Sequence, residues 1–109
     1  MGKLGKKDVE FCLTAFWNFE RHLRDLAFHI ATATGRDEIY FATEDAIEID
    51  IEDLKKCMPA GTHSQLEKQF RKLGEFEWVS ENASDVMDWI NTASKTAFNG
   101  LKEKLLETV

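Results

Sequence analysis

The chain is poor in the residues that interrupt regular structure. Of its 109 residues only one is proline, Pro59. With 43% hydrophobic and 31% charged residues, it has neither the bias of a disordered segment nor that of a proline-rich one. One domain spanning residues 1–109 is expected, large enough to bury a core of its own.

Cysteine is nearly as scarce. Cys12 and Cys57 lie far apart, and their spacing suggests neither a disulfide framework nor a metal knuckle. Both are expected as thiols, with Cys12 a small buried hydrophobe. The expected compartment is therefore the reducing cytoplasm. No apolar run approaches the roughly 18 residues of a membrane span. The basic opening MGKLGKKDVE is not followed by the apolar core of a secretory signal. Lys6 stands where a myristoylation pattern wants Ser or Thr. No contact with a membrane is expected.

Catalytic signatures are lacking too. There is no GxSxG, no HExxH and no phosphate-cradling glycine loop, and the glycines read as punctuation. Cys12 points into an apolar arc, and Cys57 sits at a helix end that disfavours a thiolate. An enzyme is not expected, and neither is a cofactor.

Basic charge is missing from one place in particular. Residues 37–53 carry eight acidic groups and no basic one: Asp37, Glu38, Glu44, Asp45, Glu48, Asp50, Glu52 and Asp53. Residues 1–36 carry a net +2 and residues 54–109 balance, so this segment accounts for the whole net charge of −6. Nucleic acid is a poor direct partner for such a chain, since phosphate binding needs a basic footprint. The segment is not an EF-hand, because it lacks the DxDxDG run and its glycine.

What the sequence does contain is amphipathic periodicity. From about Lys7 to Thr34, Val9, Cys12, Phe16, Phe19, Leu23, Leu26, Ala27 and Ile30 share one arc of a helix. Gly35 is the expected stop. Trp17, Arg21, Arg24 and Phe28 lie off that arc, on a second face that would suit another helix or a homodimer contact. A last long helix runs from about residue 83, with Ser84 as N-cap and Val86, Trp89, Ile90, Ala93, Ala97, Leu101 and Leu105 on one side. Gly100 inside it marks a close helix approach or a frayed end. A compact helix follows Thr62 or Ser64 and buries Leu66, Phe70 and Leu73.

Between these helices the period changes. Ile39 and Phe41, then Ile47, Ile49 and Ile51, alternate with polar residues, as in half-buried strands around a polar break. The pattern predicts a hairpin over 38–51, then a short helix from Ile51 to Met58 capped by Asp50 and ended by Pro59 and Gly61. A third strand over 75–79 would carry Phe76 and Trp78 on one side. The expected class is α+β: two long and two short helices on a small antiparallel sheet. The alternative is an all-α bundle with the acidic segment as an irregular arm.

Two constellations invite a functional reading. Asn18, His22, Asp25 and His29 line one stripe of the first helix. They suggest a metal or small-ligand site, but the two histidines stand roughly 10 Å apart along the axis, and no metal is expected. In the hairpin reading the core takes Ile47, Ile49 and Ile51, while Glu48, Asp50 and Glu52 face out along a line of about 14 Å. Such a line suits a protein surface better than an ion. The favoured function is a small acidic, non-catalytic protein that binds a partner with a basic surface through Glu44, Asp45, Glu48, Asp50, Glu52 and Asp53. Small inhibitors and immunity-type proteins of nucleic-acid enzymes, including phage-encoded ones, share this profile of size and charge. The other readings are the ligand site at His22, Asp25 and His29, and a structural homo-oligomer subunit.

Overall fold

Cys12, Ala15, Phe19, Leu23, Leu26 and Ile30 recur at intervals of three and four, and all are buried along one side of a first helix, α1 (Lys6–Thr32). Three more helices follow in the computed structural model, which describes residues 5–32, 37–76 and 82–108. These are α2 (Glu38–Asp53), α3 (Ala60–Leu73) and α4 (Ala83–Thr108), with a short 3-10 helix (Leu54–Cys57) after α2. The 27 residues of α1 span about 40 Å at the helical rise. That length sets the long axis of a 46 × 21 × 16 Å rod.

Each helix packs on two neighbours. α1 touches α2 and α4, α3 touches α4 and α2, and the diagonal pairs do not meet among the described residues. In cross-section the helices therefore run α1, α2, α3, α4 around one core. The α1/α4 groove and the α2/α3 groove lie on opposite sides of it. The core's largest fully enclosed side chains are Tyr40 and Phe19.

The expected α+β class is wrong: the described residues contain no strand, and residues 38–51 form the helix α2. Asp37 starts it, in extended backbone, by accepting a hydrogen bond from the Tyr40 N–H at 3.0 Å, the standard N-cap arrangement. Tyr40, Thr43, Ile47, Asp50 and Ile51 are then buried, again at helical intervals. Two of those five are polar. Their polarity hides the period of 3.6 and leaves the alternation of the isoleucines as the louder signal. In the helix Ile47 and Ile51 point inward, whereas Ile49 is 62% exposed and Asp50 only 4%. The all-helical alternative holds, although the acidic segment is a regular helix and not an irregular arm. Asp50 lies inside α2 and caps nothing.

Smaller corrections follow from the same element. α2 passes directly into the 3-10 helix, where Lys55 and Lys56 complement the negative helix end. Pro59 precedes α3, Gly61 lies inside it, and neither Thr62 nor Ser64 caps it. Ser84 is within α4, whose first backbone bond runs from Val86 N to Asn82 O at 2.8 Å. Glu75 and Phe76 are not in a strand. Residues 77–79 of the expected third strand, with Trp78, lie outside the described residues, as does Gly35.

Cys12 and Cys57 are disulfide-bonded, contrary to the expectation of two thiols, and the Cα atoms stand 5.5 Å apart. The α1–α2 hairpin explains the meeting. About twenty helical residues lead from Cys12 to the end of α1, and about as many return from the start of α2 to Cys57. Equal rises bring the two positions level. Both residues are fully buried.

Gly100 marks a close approach and not a frayed end. It is buried, and a Cβ there would stand 2.7 Å from Thr62 Cγ2 and 2.9 Å from Met58 Cβ. Alanine is the better helix former by about 1 kcal/mol, yet overpacking typically costs about 1–3 kcal/mol. Gly100→Ala is therefore expected to lower stability by about 1–2 kcal/mol. Chemical denaturation at equilibrium checks this, and an unchanged midpoint would show that α3 gives way freely.

Candidate functional site

Two exposed helical faces of opposite charge stand out. On α2, Asp45, Glu48 and Glu52 are exposed on the side opposite the buried arc. Ile49, among them, is 62% exposed, and Phe41 one turn before Asp45 is 50% exposed. Asp45, Glu48, Ile49 and Glu52 border a groove of about 690 Å³ against α3, where Glu67, Phe70 and Arg71 form the other wall. Among the described residues Asp45, Glu48 and Glu52 form no ion pair. They are free to act on whatever approaches.

The other residues of the sequence-derived acidic site are placed differently. Glu44 is half-buried and accepts a hydrogen bond from the Tyr40 hydroxyl at 3.0 Å. Asp53 is half-buried at the end of α2. Asp50 lies inside the bundle, where its Oδ2 shares a hydrogen bond of 2.5 Å with His22 Nδ1. Burial pushes the Asp50 carboxyl above its ordinary range, because desolvation outweighs the opposing pull of His22 and of the nearby Arg21. The exposed surface thus narrows to Asp45, Glu48 and Glu52, with apolar neighbours inside the stripe.

On α1, Trp17, Arg21, Arg24 and Phe28 follow at intervals of four, three and four. That spacing keeps them on one line, directly opposite the buried arc of the same helix. Trp17 is 73% exposed and Phe28 70%. No described helix covers them. Trp17, Arg21 and Arg24 border a groove of about 790 Å³ against α4, together with Lys95 and Phe98. Phe98 stacks at a tilt on Phe16, 6.1 Å between ring centres. Ser94 donates to Glu20 at 2.5 Å across the groove and ties α4 to α1. Arg21, Arg24 and Lys95 form no ion pair among the described residues.

The histidine stripe does not converge. His22 is bound to Asp50. His29 is buried beside Tyr40, with Nε2 3.9 Å from Asp37 Oδ1, and Asp25 is exposed. Among the described residues no three His, Cys, Asp or Glu side chains are grouped to hold a metal ion. His63, in the first turns of α3, is buried and shares a hydrogen bond of 2.9 Å with the Ile51 carbonyl, and its Nδ1 lies 3.4 Å from Glu67. It ties α3 to the end of α2.

Sequence reasoning missed the pairing of His22 with Asp50 and the contribution of Lys95 and Phe98 to the α1 face. The first was visible in principle: Asp50 falls three residues after Ile47 and one before Ile51, so a helical reading buries it and demands a partner. The second depends on which helix lies beside α1, and periodicity carries no such information. No described helix is long and apolar enough to cross a membrane. Comparison of the chain with protein-family models, with curated proteins and with solved structures gave no match.

Proposed function

We propose that the protein is a non-catalytic binding module whose α2 face docks on a basic surface of another protein. The observation that carries this reading is the exposed line Asp45, Glu48 and Glu52 with Ile49 set among them. Unpaired carboxylates steer a cationic partner and fix its orientation. An apolar residue among them supplies area that loses water on contact. Inhibitors of nucleic-acid enzymes are a fitting class, because such enzymes present basic surfaces to phosphate.

In the cytoplasmic location proposed from the sequence, the thiol pool would hold Cys12 and Cys57 reduced. There the fold would stand without the disulfide, which would add to it only in an oxidising compartment.

Binding to purified basic proteins, nucleases first, is measured by interferometry at low and high salt. Affinity is expected to fall as salt rises. The double variant D45K/E48K is expected to weaken binding about tenfold or more, mostly through slower association. Both positions are exposed, so the fold should persist. A bound partner indifferent to salt and to D45K/E48K would remove the reading.

A further inference from the structure

The two charged faces match each other. Trp17, Arg21, Arg24 and Phe28 stand at intervals of four, three and four on α1. Phe41, Asp45, Glu48 and Glu52 repeat those intervals on α2. Each stripe spans about 16 Å along its helix. Laid antiparallel, Phe28 meets Phe41, Arg24 meets Asp45, Arg21 meets Glu48 and Trp17 meets Glu52, with Ile49 between the levels of Arg21 and Trp17. Charge meets opposite charge at two successive levels, one end brings two aromatic rings together, and Ile49 lies within about one turn of Trp17.

We infer that the α1 stripe of one copy takes the α2 stripe of a second copy. The exposure of the apolar members supports this. Trp17 and Phe28 are more than two-thirds exposed, and Phe41 and Ile49 at least half. Large apolar side chains held this far into water are characteristic of contact surfaces. Among the described residues Arg21, Arg24, Asp45, Glu48 and Glu52 form no ion pair within their own chain, although Arg21 acts at longer range on the buried Asp50. Lys95 and Phe98, from α4, widen the receiving side.

The same residues disfavour the homodimer suggested by sequence, in which the α1 stripe meets its own copy. An antiparallel α1–α1 contact sets Arg21 and Arg24 against Arg24 and Arg21 of the other copy, four unpaired cations in one patch. Like charges so placed oppose association. Trp17, Arg21 and Arg24 border the α1/α4 groove, and Asp45, Glu48 and Glu52 border the α2/α3 groove on the opposite side of the bundle. The contact is therefore head-to-tail, with a free α2 face at one end and a free α1 face at the other. Repeated, it gives a ring or an open chain. It also covers Asp45 and Glu48, so a basic partner and a second copy would compete. The pairing does not depend on that partner's existence.

Sedimentation velocity from micromolar to millimolar concentration, at low and high salt, tests it. The wild type is expected to associate at low salt and to dissociate as salt rises. R21E/R24E and D45K/E48K are each expected to weaken self-association about tenfold or more. Mixed one to one, the two variants are expected to associate again, because the unaltered α2 stripe of R21E/R24E meets the unaltered α1 stripe of D45K/E48K. Far-UV circular dichroism confirms that each variant is folded. A wild type that stays monomeric throughout overturns the inference and leaves the partner reading standing. Self-association that survives D45K/E48K also overturns it, in favour of an α1–α1 dimer.

Discussion

Reduction of the Cys12–Cys57 disulfide is expected to lower stability by about 3–4 kcal/mol and the Tm by roughly 15 °C or more. The bond closes a sequence separation of 45 residues. Opening it returns to the unfolded chain the entropy that loop closure had removed, which for a loop of this size is worth about 4 kcal/mol. The folded state changes little, since both sulfurs already sit in the core. Thermal melts with and without reductant, at one pH, check the effect. The double variant C12A/C57A separates chain entropy from the chemistry of the reductant, and it should melt near the reduced protein. A Tm that moves by only a degree or two would mean that the unfolded chain already holds these segments together.

The second large effect concerns the buried pair between α1 and α2. His22→Leu is expected to cost roughly 3 kcal/mol near neutral pH, because it leaves the Asp50 carboxylate buried without its partner. The loss should shrink in acid. Asp50 already has a folded-state pKa above its unfolded value, and removing His22 takes away the hydrogen bond that holds it down. A carboxyl with a raised folded pKa takes up its proton on folding, so its stabilising contribution is present below the unfolded pKa. That contribution is lost as pH rises through the folded value. The variant should thus fall further behind the wild type from about pH 4 upward. Denaturant midpoints measured across this range report the slope. Adding Asp50→Asn to the His22→Leu background should recover most of the loss at neutral pH and flatten its pH dependence. A His22→Leu deficit that is constant from acid to neutral pH would place the effect in packing and not in charge.

Where the sequence was legible, hydrophobic period made it so. α1 shows a buried arc of apolar residues, and α4 shows another, so both helices are readable to within a few residues. α2 was not readable, because its buried arc includes Thr43 and Asp50 and its exposed face includes Ile49. Polar residues inside and an apolar one outside invert the usual contrast. The charge sum located the acidic segment correctly. Only the helix, though, reveals which carboxylates are available: Asp45, Glu48 and Glu52 outside, Asp50 within. The α1 face with Trp17 and Phe28 was legible as a departure from the core arc. Its neighbours on α4 were not, since partner choice among helices is settled by the bundle as a whole. The cysteine pair was hidden for the same reason. Sequence distance says nothing about two positions until a hairpin makes them neighbours.

Gly100 has a further effect, on alignment. Amphipathic helices can slide past one another by a turn and still bury apolar surface, so a bundle of them tolerates several offsets. Ala93, Ala97 and Gly100 are small residues on the buried side of α4, and Met58 and Thr62 come close to it at Gly100. A shift of one turn would bring a side chain of α4 against both of them. The glycine thus acts as a detent: it fixes the offset of α4 relative to α3, and so also the height at which Lys95 and Phe98 stand beside Trp17 and Arg21.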